Sequence, residues 1–425
     1  MKKLTAAVLA VVLIISMTGC GSSRKKTELS TESQSQEQNQ VEKVENSSLK
    51  AGFLFSGDSE ATSTIARKSD IEKMQGATGL TDSQILTAEN VKKDSVGKKV
   101  KELVGKGCGI IFSTDCDLEE KIIKCAAKYP DVVFCQEGGR KAAESGLSNY
   151  HTYNTRIFEA YHVGGLVAGK KLVERLNNGK AEPYNFQVGF VAEKKRPDAI
   201  CCAMAFFLGV KRSYSNAKMY IRYVGSEGVY DDDGKEAKQL VRAGVSIMGE
   251  YTSTTAVAAV CAENDIPVVG RDIGMLDVAP KDALTSAVSD WSIYYTYAIE
   301  QFDKKEAIDQ DWSAGYAEKA NIISQLNDEQ IAAETVYDVA ELEKNIRDGK
   351  AKIFNTKNFT IDEQKLEDLV KNNKDYARFK NYVKGGQYLE CKDHSAPEWD
   401  ILIDGSEVSD YDYIGAEAAE NGEGE

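Results

Sequence analysis

Histidine is scarce in this chain. Among 425 residues there are three, His151, His162 and His394, beside 3 Trp and 6 Pro. So few imidazoles leave little room for His-based acid–base chemistry, and the chain carries no GxSxG elbow, HExxH helix or P-loop. The glycine cluster Gly225–Gly234 does not fit GxGxxG between a strand and a helix. No CxxC pair occurs among the nine cysteines, which argues against a zinc site. Positive charge is also in deficit: 53 Lys and Arg face 67 Asp and Glu, a formal net charge of −14. General nucleic-acid binding needs cations to displace phosphate counterions, so it is disfavoured. The expectation is a protein without catalytic residues, metal or cofactor, and not an enzyme.

What is present begins at the N-terminus. Lys2 and Lys3 precede an apolar run, Leu4–Met17, that is shorter than the roughly 20 residues of a membrane-spanning helix. Met17-Thr18-Gly19-Cys20 follows and resembles the lipobox of bacterial lipoproteins. That resemblance implies a signal peptide over 1–19, cleavage before Cys20, and a lipid on the Cys20 sulfur. The mature chain would then sit outside the cytoplasm, anchored to the cell membrane. Residues 20–48 are Ser, Thr, Gln, Glu, Lys and Asn without apolar period, which predicts a flexible tether. Of the remaining eight cysteines, Cys108, Cys125, Cys135 and Cys261 lie in apolar segments and read as core residues. Whether any of the eight are paired stays open.

From Leu49 short apolar runs alternate with helical stretches. KAGFLFS, GIIFS and DVVFC read as buried strands, with helices over Thr64–Gly76, Val91–Val104 and Leu118–Lys128 between and around them. An extended Tyr150–Asn154 leads into a helix from Arg156 to about Asn177, whose Gly164, Gly165, Ala168 and Gly169 permit close packing. The rhythm then restarts: QVGFVA is a strand, Asp198–Arg212 a helix, Lys218–Val224 a strand, Gly234–Ala243 a helix and Val245–Gly249 a strand. Two such α/β units predict two parallel sheets covered on both faces, with a ligand beyond the carboxyl ends of their strands. Ile361–Tyr382 reads as helical, and Gly385 onward as a tail with an acidic end, Ala416–Glu425.

Ile110–Phe134, YNTRIFEAYHVGGLVAGK (Tyr153–Lys170), Val188–Arg212, Tyr223–Ala237, VGRDIGMLDVAP (Val269–Pro280) and AVSDWSIYY (Ala287–Tyr295) occur in the order of the basic membrane protein family of solute-binding lipoproteins, also called PnrA-like. The likeness runs from about Leu49 to Phe359. It implies a two-lobed type I periplasmic-binding-protein fold with the ligand cleft between the lobes, and an ABC permease partner. Lobe 1 would comprise 49–160 and 291–325, lobe 2 would comprise 161–290 and 326–360, and 361–425 would be a helical extension and tail. It further implies a purine nucleoside ligand, its base stacked on an aromatic ring and its ribose held by carboxylates. A sugar is the alternative ligand, and a receptor subunit reporting to a membrane sensor is the alternative role. One departure is plain: Ser63-Thr64-Ile65-Ala66 lacks the aromatic–Asn pair usual after the first strand.

The candidate ligand residues sit on strand-end loops. On the first unit they are Asp58, Asp115 and Glu137; Asp115 or Asp117 would otherwise cap the next helix. On the second they are Glu193, Tyr230 as the stacking ring, Thr252, Ser253, Arg271 and Asp272. Trp291 would wall the cleft or pack at the hinge. His162 reads as packed or solvated, and His151 as a residue able to face the cleft.

Overall fold

The structure is a computed structural model that describes residues 48–410. The signal peptide, Cys20, the tether up to residue 47 and the end of the acidic tail lie outside the described residues.

The apolar runs form strands because both of their faces are covered. Six build a first sheet: β1 (Ala51–Leu54), β2 (Ile85–Ala88), β3 (Ile110–Ser113), β4 (Val133–Glu137), β5 (Tyr150–Thr155) and, much later in the chain, β11 (Asp311–Ala314). The second sheet contains β6 (Val188–Ala192), β7 (Met219–Tyr223), β8 (Ile247–Tyr251), β9 (Val268–Arg271) and β10 (Ala283–Ser289). Strand β11 (Asp311–Ala314) returns to the first sheet, and β12 (Asn321–Ile323) and β13 (Ser406–Val408) join the second. The orders are β11-β5-β4-β3-β1-β2 and β12-β10-β9-β8-β6-β7-β13. Every named pairing is parallel except β10 with β12. In β1 and β3 Phe53 lies opposite Phe112, with ring centroids 4.8 Å apart.

Helices cover both sheets. Helix Ser292–Lys304 lays Tyr294 and Tyr295 on Phe53, Phe112 and Tyr153 of the first sheet. Helix Phe158–Asn177 joins the core of the second, crossing helix Pro197–Lys211 at close range. A Cβ at Gly165 would lie 2.1 Å from the Phe206 carbonyl oxygen, and one at Gly209 would lie 2.2 Å from that of His162, so only glycine permits this approach. The chain passes between the sheets at 155–158, 289–292 and 314–321. Those passages bond to one another: Arg156 N to Ala314 O at 2.8 Å, Asp290 N to Ala320 O at 2.9 Å, and Thr155 Oγ1 to Ser289 Oγ at 2.8 Å.

Two expectations are corrected here. The helix expected at Val91–Val104 starts only at Val96, because residues 92–95 form a turn in which Ser95 Oγ accepts from Lys92 N. More important, the helix expected over Ile361–Tyr382 is shorter and broken, and the segment from Gly385 to 410, expected as a tail, packs onto the body. Helix is confined to Leu366–Asn372 and a 3₁₀ segment, Lys374–Phe379. Trp399, Tyr388 and Ile403 are buried, and the Trp399 ring packs among Phe354, Phe359, Phe379 and Tyr388. Apolar burial needs no regular periodicity when aromatic rings supply the area.

The eight described cysteines are all unpaired. Among the described residues no helix is long and apolar enough to cross a membrane.

Candidate functional site

Parallel strands in each sheet end on the same edge, and the loops beyond those edges meet. After β1 come Ser56 and Gly57, after β3 Thr114 and Asp115; Glu137 ends β4 and Gly138 follows it. From the second sheet, β8 ends at Tyr251 and is followed by Ser253, and β9 ends at Arg271. All of these line a cavity of about 210 Å³. An outer chamber of about 470 Å³ adjoins it and shares Ser56, Gly57, Ser63, Asp115, Glu227 and Ser253. The two sides touch directly: Thr62 N donates to Ser253 O at 2.9 Å, and Lys194 Nζ lies 2.7 Å from both Asp117 and Glu227. Arg196 adds a second cation 3.5 Å from Asp117. The two sides are thus in contact across the cleft in this structure.

Its wall is ionic, and each of its arginines has a carboxylate neighbour. Arg67, on helix Thr62–Thr78, grips Glu137 with two nitrogens, Nε at 2.9 Å, and gives Nη1 to Ser63 O at 2.8 Å. Burial opposes the Arg67 charge, but the Glu137 carboxylate outweighs it and raises its pKa; burial raises that of Glu137 against the pull of Arg67. Arg271 lies 3.7 Å over the Tyr251 ring and 3.5 Å from Asp272. Beneath the second-sheet loops burial pushes Glu193 up to about 7 and Glu250 up to about 8. Glu193 accepts from Gly228 N and Ser253 N, each at 2.9 Å, so it holds those two loops in place.

The expected site residues divide clearly. Asp115, Glu137, Ser253 and Arg271 line the cavity together. Asp115 is also the cap: its Oδ1 accepts from Asp117 N at 2.8 Å, while burial and then the nearby Glu227 raise its pKa. Asp117 does not cap; it pairs with Lys194 and Arg196 of the opposite side. Glu193, Thr252 and Asp272 are buried behind the lining, with Thr252 Oγ1 given to Glu250 at 2.8 Å. Asp272 adopts φ 64°, a left-handed conformation that a short polar side chain tolerates.

Asp58 is not in the lining. It is exposed, and its Oδ1 accepts from Glu60 N and Ala61 N, closing the turn before the helix. Tyr230 is not in the lining either. It begins helix Tyr230–Arg242 rather than a loop, and is 52% exposed. Trp291 is packed at the passage between sheets, edge-on to Tyr153, with its N–H bonded to Asp70. His151 lies near the start of β5, away from the cleft, against Asp309 O, and His162 is buried against Ala205 O.

Arg67, Arg196, Arg140, Asn154 and Tyr251 line the cavity without having been singled out. Arg196 follows directly on the loop after β6, so the strand-end rule pointed at it. Arg67 shares the buried helical face of Thr64, Ile71 and Met74, a spacing visible in the sequence. The lining also includes Ala396 and Pro397, far away in the chain.

Two sheets linked by three passages of chain, with a polar cavity beyond their strand ends, give the two-lobed fold of periplasmic binding proteins. Solved solute-binding proteins of ABC transporter systems share the fold. One from Aeropyrum pernix K1 has a TM-score of 0.61 at 15% identity, over 82% of this chain and 100% of that one. Another, from Conexibacter woesei DSM 14684, has 0.55 at 15% identity, over 72% and 98%. The chain belongs to the family described as ABC transporter substrate-binding protein PnrA-like, whose model matches residues 59–353. A purine-binding protein of Brucella abortus (strain 2308) is 28% identical over 211 residues, 49% of this chain and 55% of that protein. The chain thus spans about half the length of that curated relative.

Proposed function

We propose that this chain is the solute-capturing component of an ABC importer, held outside the cytoplasm by a lipid on Cys20, and that its solute is a purine nucleoside. The observation that carries the reading is the cavity itself, walled by loops from both sheets. Solute trapped there would be released only when the two sides part, which suits delivery to a permease. The three passages between sheets are the proposed hinge, with a lobe built on each sheet.

Two features support a planar, hydroxyl-bearing solute. The Arg271 guanidinium lies 3.7 Å over the Tyr251 ring, and both line the cavity, a planar group on an aromatic where Tyr230 was expected to supply the ring. Asp115, Glu137 and Ser253 bring acceptors and a donor to the same space. The purine-binding relative supports the same class of base. We further read the site as one that binds without turnover.

Native mass spectrometry of the protein as purified, then calorimetry against inosine, guanosine, adenosine, ribose and hexoses, tests this. Micromolar or tighter binding of a nucleoside, unchanged on recovery, is expected. Tight binding of a free sugar with no response to nucleosides would replace the ligand class while leaving the transport role.

A further inference from the structure

The family match ends at residue 353, yet the chain beyond it reaches the cavity. Glu390 closes a tight loop by accepting from Cys391 N at 3.0 Å, Glu398 N at 2.7 Å and Trp399 N at 2.9 Å. The loop is rooted in the second-sheet body through Trp399 and through Ile403 N, 3.4 Å from the Met204 sulfur. Its tip lies on the first-sheet body. Ser395 N donates to Asp311 Oδ2 at 2.8 Å, and Asn154 Nδ2 to Ser395 O at 3.4 Å. Arg140 gives one nitrogen to Pro397 O and another to Glu398 Oε1.

Among the described residues four arginines line the cavity, and each has a carboxylate partner. Glu137 serves Arg67, Asp198 serves Arg196 at 3.2 Å, and Asp272 serves Arg271. Those three partners lie within the family match. The fourth, Glu398, is supplied only by the C-terminal loop. Without it Arg140 would keep its bond to Pro397 O but face the cavity with its charge uncompensated and one nitrogen freed, a donor suited to phosphate oxygens.

We propose that Glu398 is a specificity-determining residue: by neutralising Arg140 it makes the cavity take an uncharged solute and refuse the phosphorylated form of the same solute. Glu398 acts through Arg140 and does not touch the solute. The inference rests on reading this cavity as the solute site.

The test compares inosine with inosine 5′-monophosphate by calorimetry on the full chain, as wild type, Glu398→Gln, Glu398→Asp and Arg140→Gln/Glu398→Gln. The wild type should prefer the nucleoside. Glu398→Gln should shift the affinity ratio toward the monophosphate by about tenfold, the factor a charge-assisted hydrogen bond supplies. The double variant should lose that gain, Glu398→Asp should restore the preference, and added salt should shrink the shift. An unchanged ratio in Glu398→Gln, or a gain that survives in the double variant, overturns the proposal. If no variant binds inosine or its monophosphate, the nucleoside reading fails, and the variants are titrated with inorganic phosphate instead. Stronger phosphate binding by Glu398→Gln than by wild type then supports the charge role, and equal binding defeats it.

Discussion

On the first-sheet side of the cleft the buried carboxylate of Glu137 meets a two-pronged guanidinium. On the second-sheet side Glu250 Oε1 and Asp272 Oδ2 are buried with no hydrogen-bond partner among the described residues. Glu193, Asp233 and Glu250 are all pushed upward by burial, to about 7, about 6 and about 8, while Arg271 is the cation among them. The first wall is a finished ion pair. The second is an acidic nest that favours its protonated forms, because a single guanidinium cannot pair with every carboxylate. Burial raises the carboxylates on both walls, but on the first the charge has a bidentate partner and on the second most of it has none.

The sharpest way to break that contrast is to remove one cation. Arg67→Ala should lower stability by about 3–5 kcal/mol, since it strands Glu137 without its partner; thermal or urea unfolding measures it, and a loss below about 1 kcal/mol would mean the pair is not the anchor described. Glu250→Gln should do the opposite and raise stability near neutral pH by on the order of 2 kcal/mol. The sign follows from the raised pKa: the protonated form's contribution is complete below the ordinary value of 4.5 and disappears as pH rises through about 8. Wild type should thus weaken across that window while the variant does not, and parallel melting curves against pH would contradict the nest. Asp117→Asn cuts both cross-cleft pairs, to Lys194 and Arg196. These groups are partly exposed, so a loss of only a few-fold in solute affinity is expected, seen as faster release in stopped flow.

The smallest effect is at the C-terminal loop. His394 places Nδ1 2.7 Å from Ala396 O and Nε2 against Glu398, two acceptors that only an imidazolium satisfies, and its pKa is raised, chiefly by the Glu398 hydrogen bond. Its contribution is full below the ordinary value of 6.5 and fades as pH climbs through the raised one. His394→Gln should therefore lower Tm slightly near pH 6 and leave it unchanged well above that range. A Tm difference that persists in alkali would assign the residue a packing role instead.

The sequence made the alternating strands and helices legible because runs such as Gly-Ile-Ile-Phe-Ser are buried on both faces, and continuous apolarity is what that burial requires. It also led to Asp115, Glu137, Ser253 and Arg271, since strand-end position alone selects them. It misplaced Tyr230 because the helix begins at that residue with no side-chain cap to mark the start. It lost the C-terminal loop because Tyr388, Trp399 and Ile403 follow neither strand nor helix period; rings and the three backbone N–H groups gathered by Glu390 hold that segment. Nothing local marks Pro397 as a cavity wall, a role set by the bonds of Arg140 to Pro397 O and of Asn154 to Ser395 O, from residues more than two hundred positions away.

The threaded connectivity has a consequence for synthesis. A nascent chain that has reached residue 290 possesses β1 to β5, yet lacks Trp291, Tyr294 and Tyr295, which cover one face of that sheet, and lacks its outermost strand β11. The second sheet in turn waits for β13, at Ser406–Val408, to complete its far edge. Each sheet therefore needs segments made after residue 290 before its covering layer and its edges are complete.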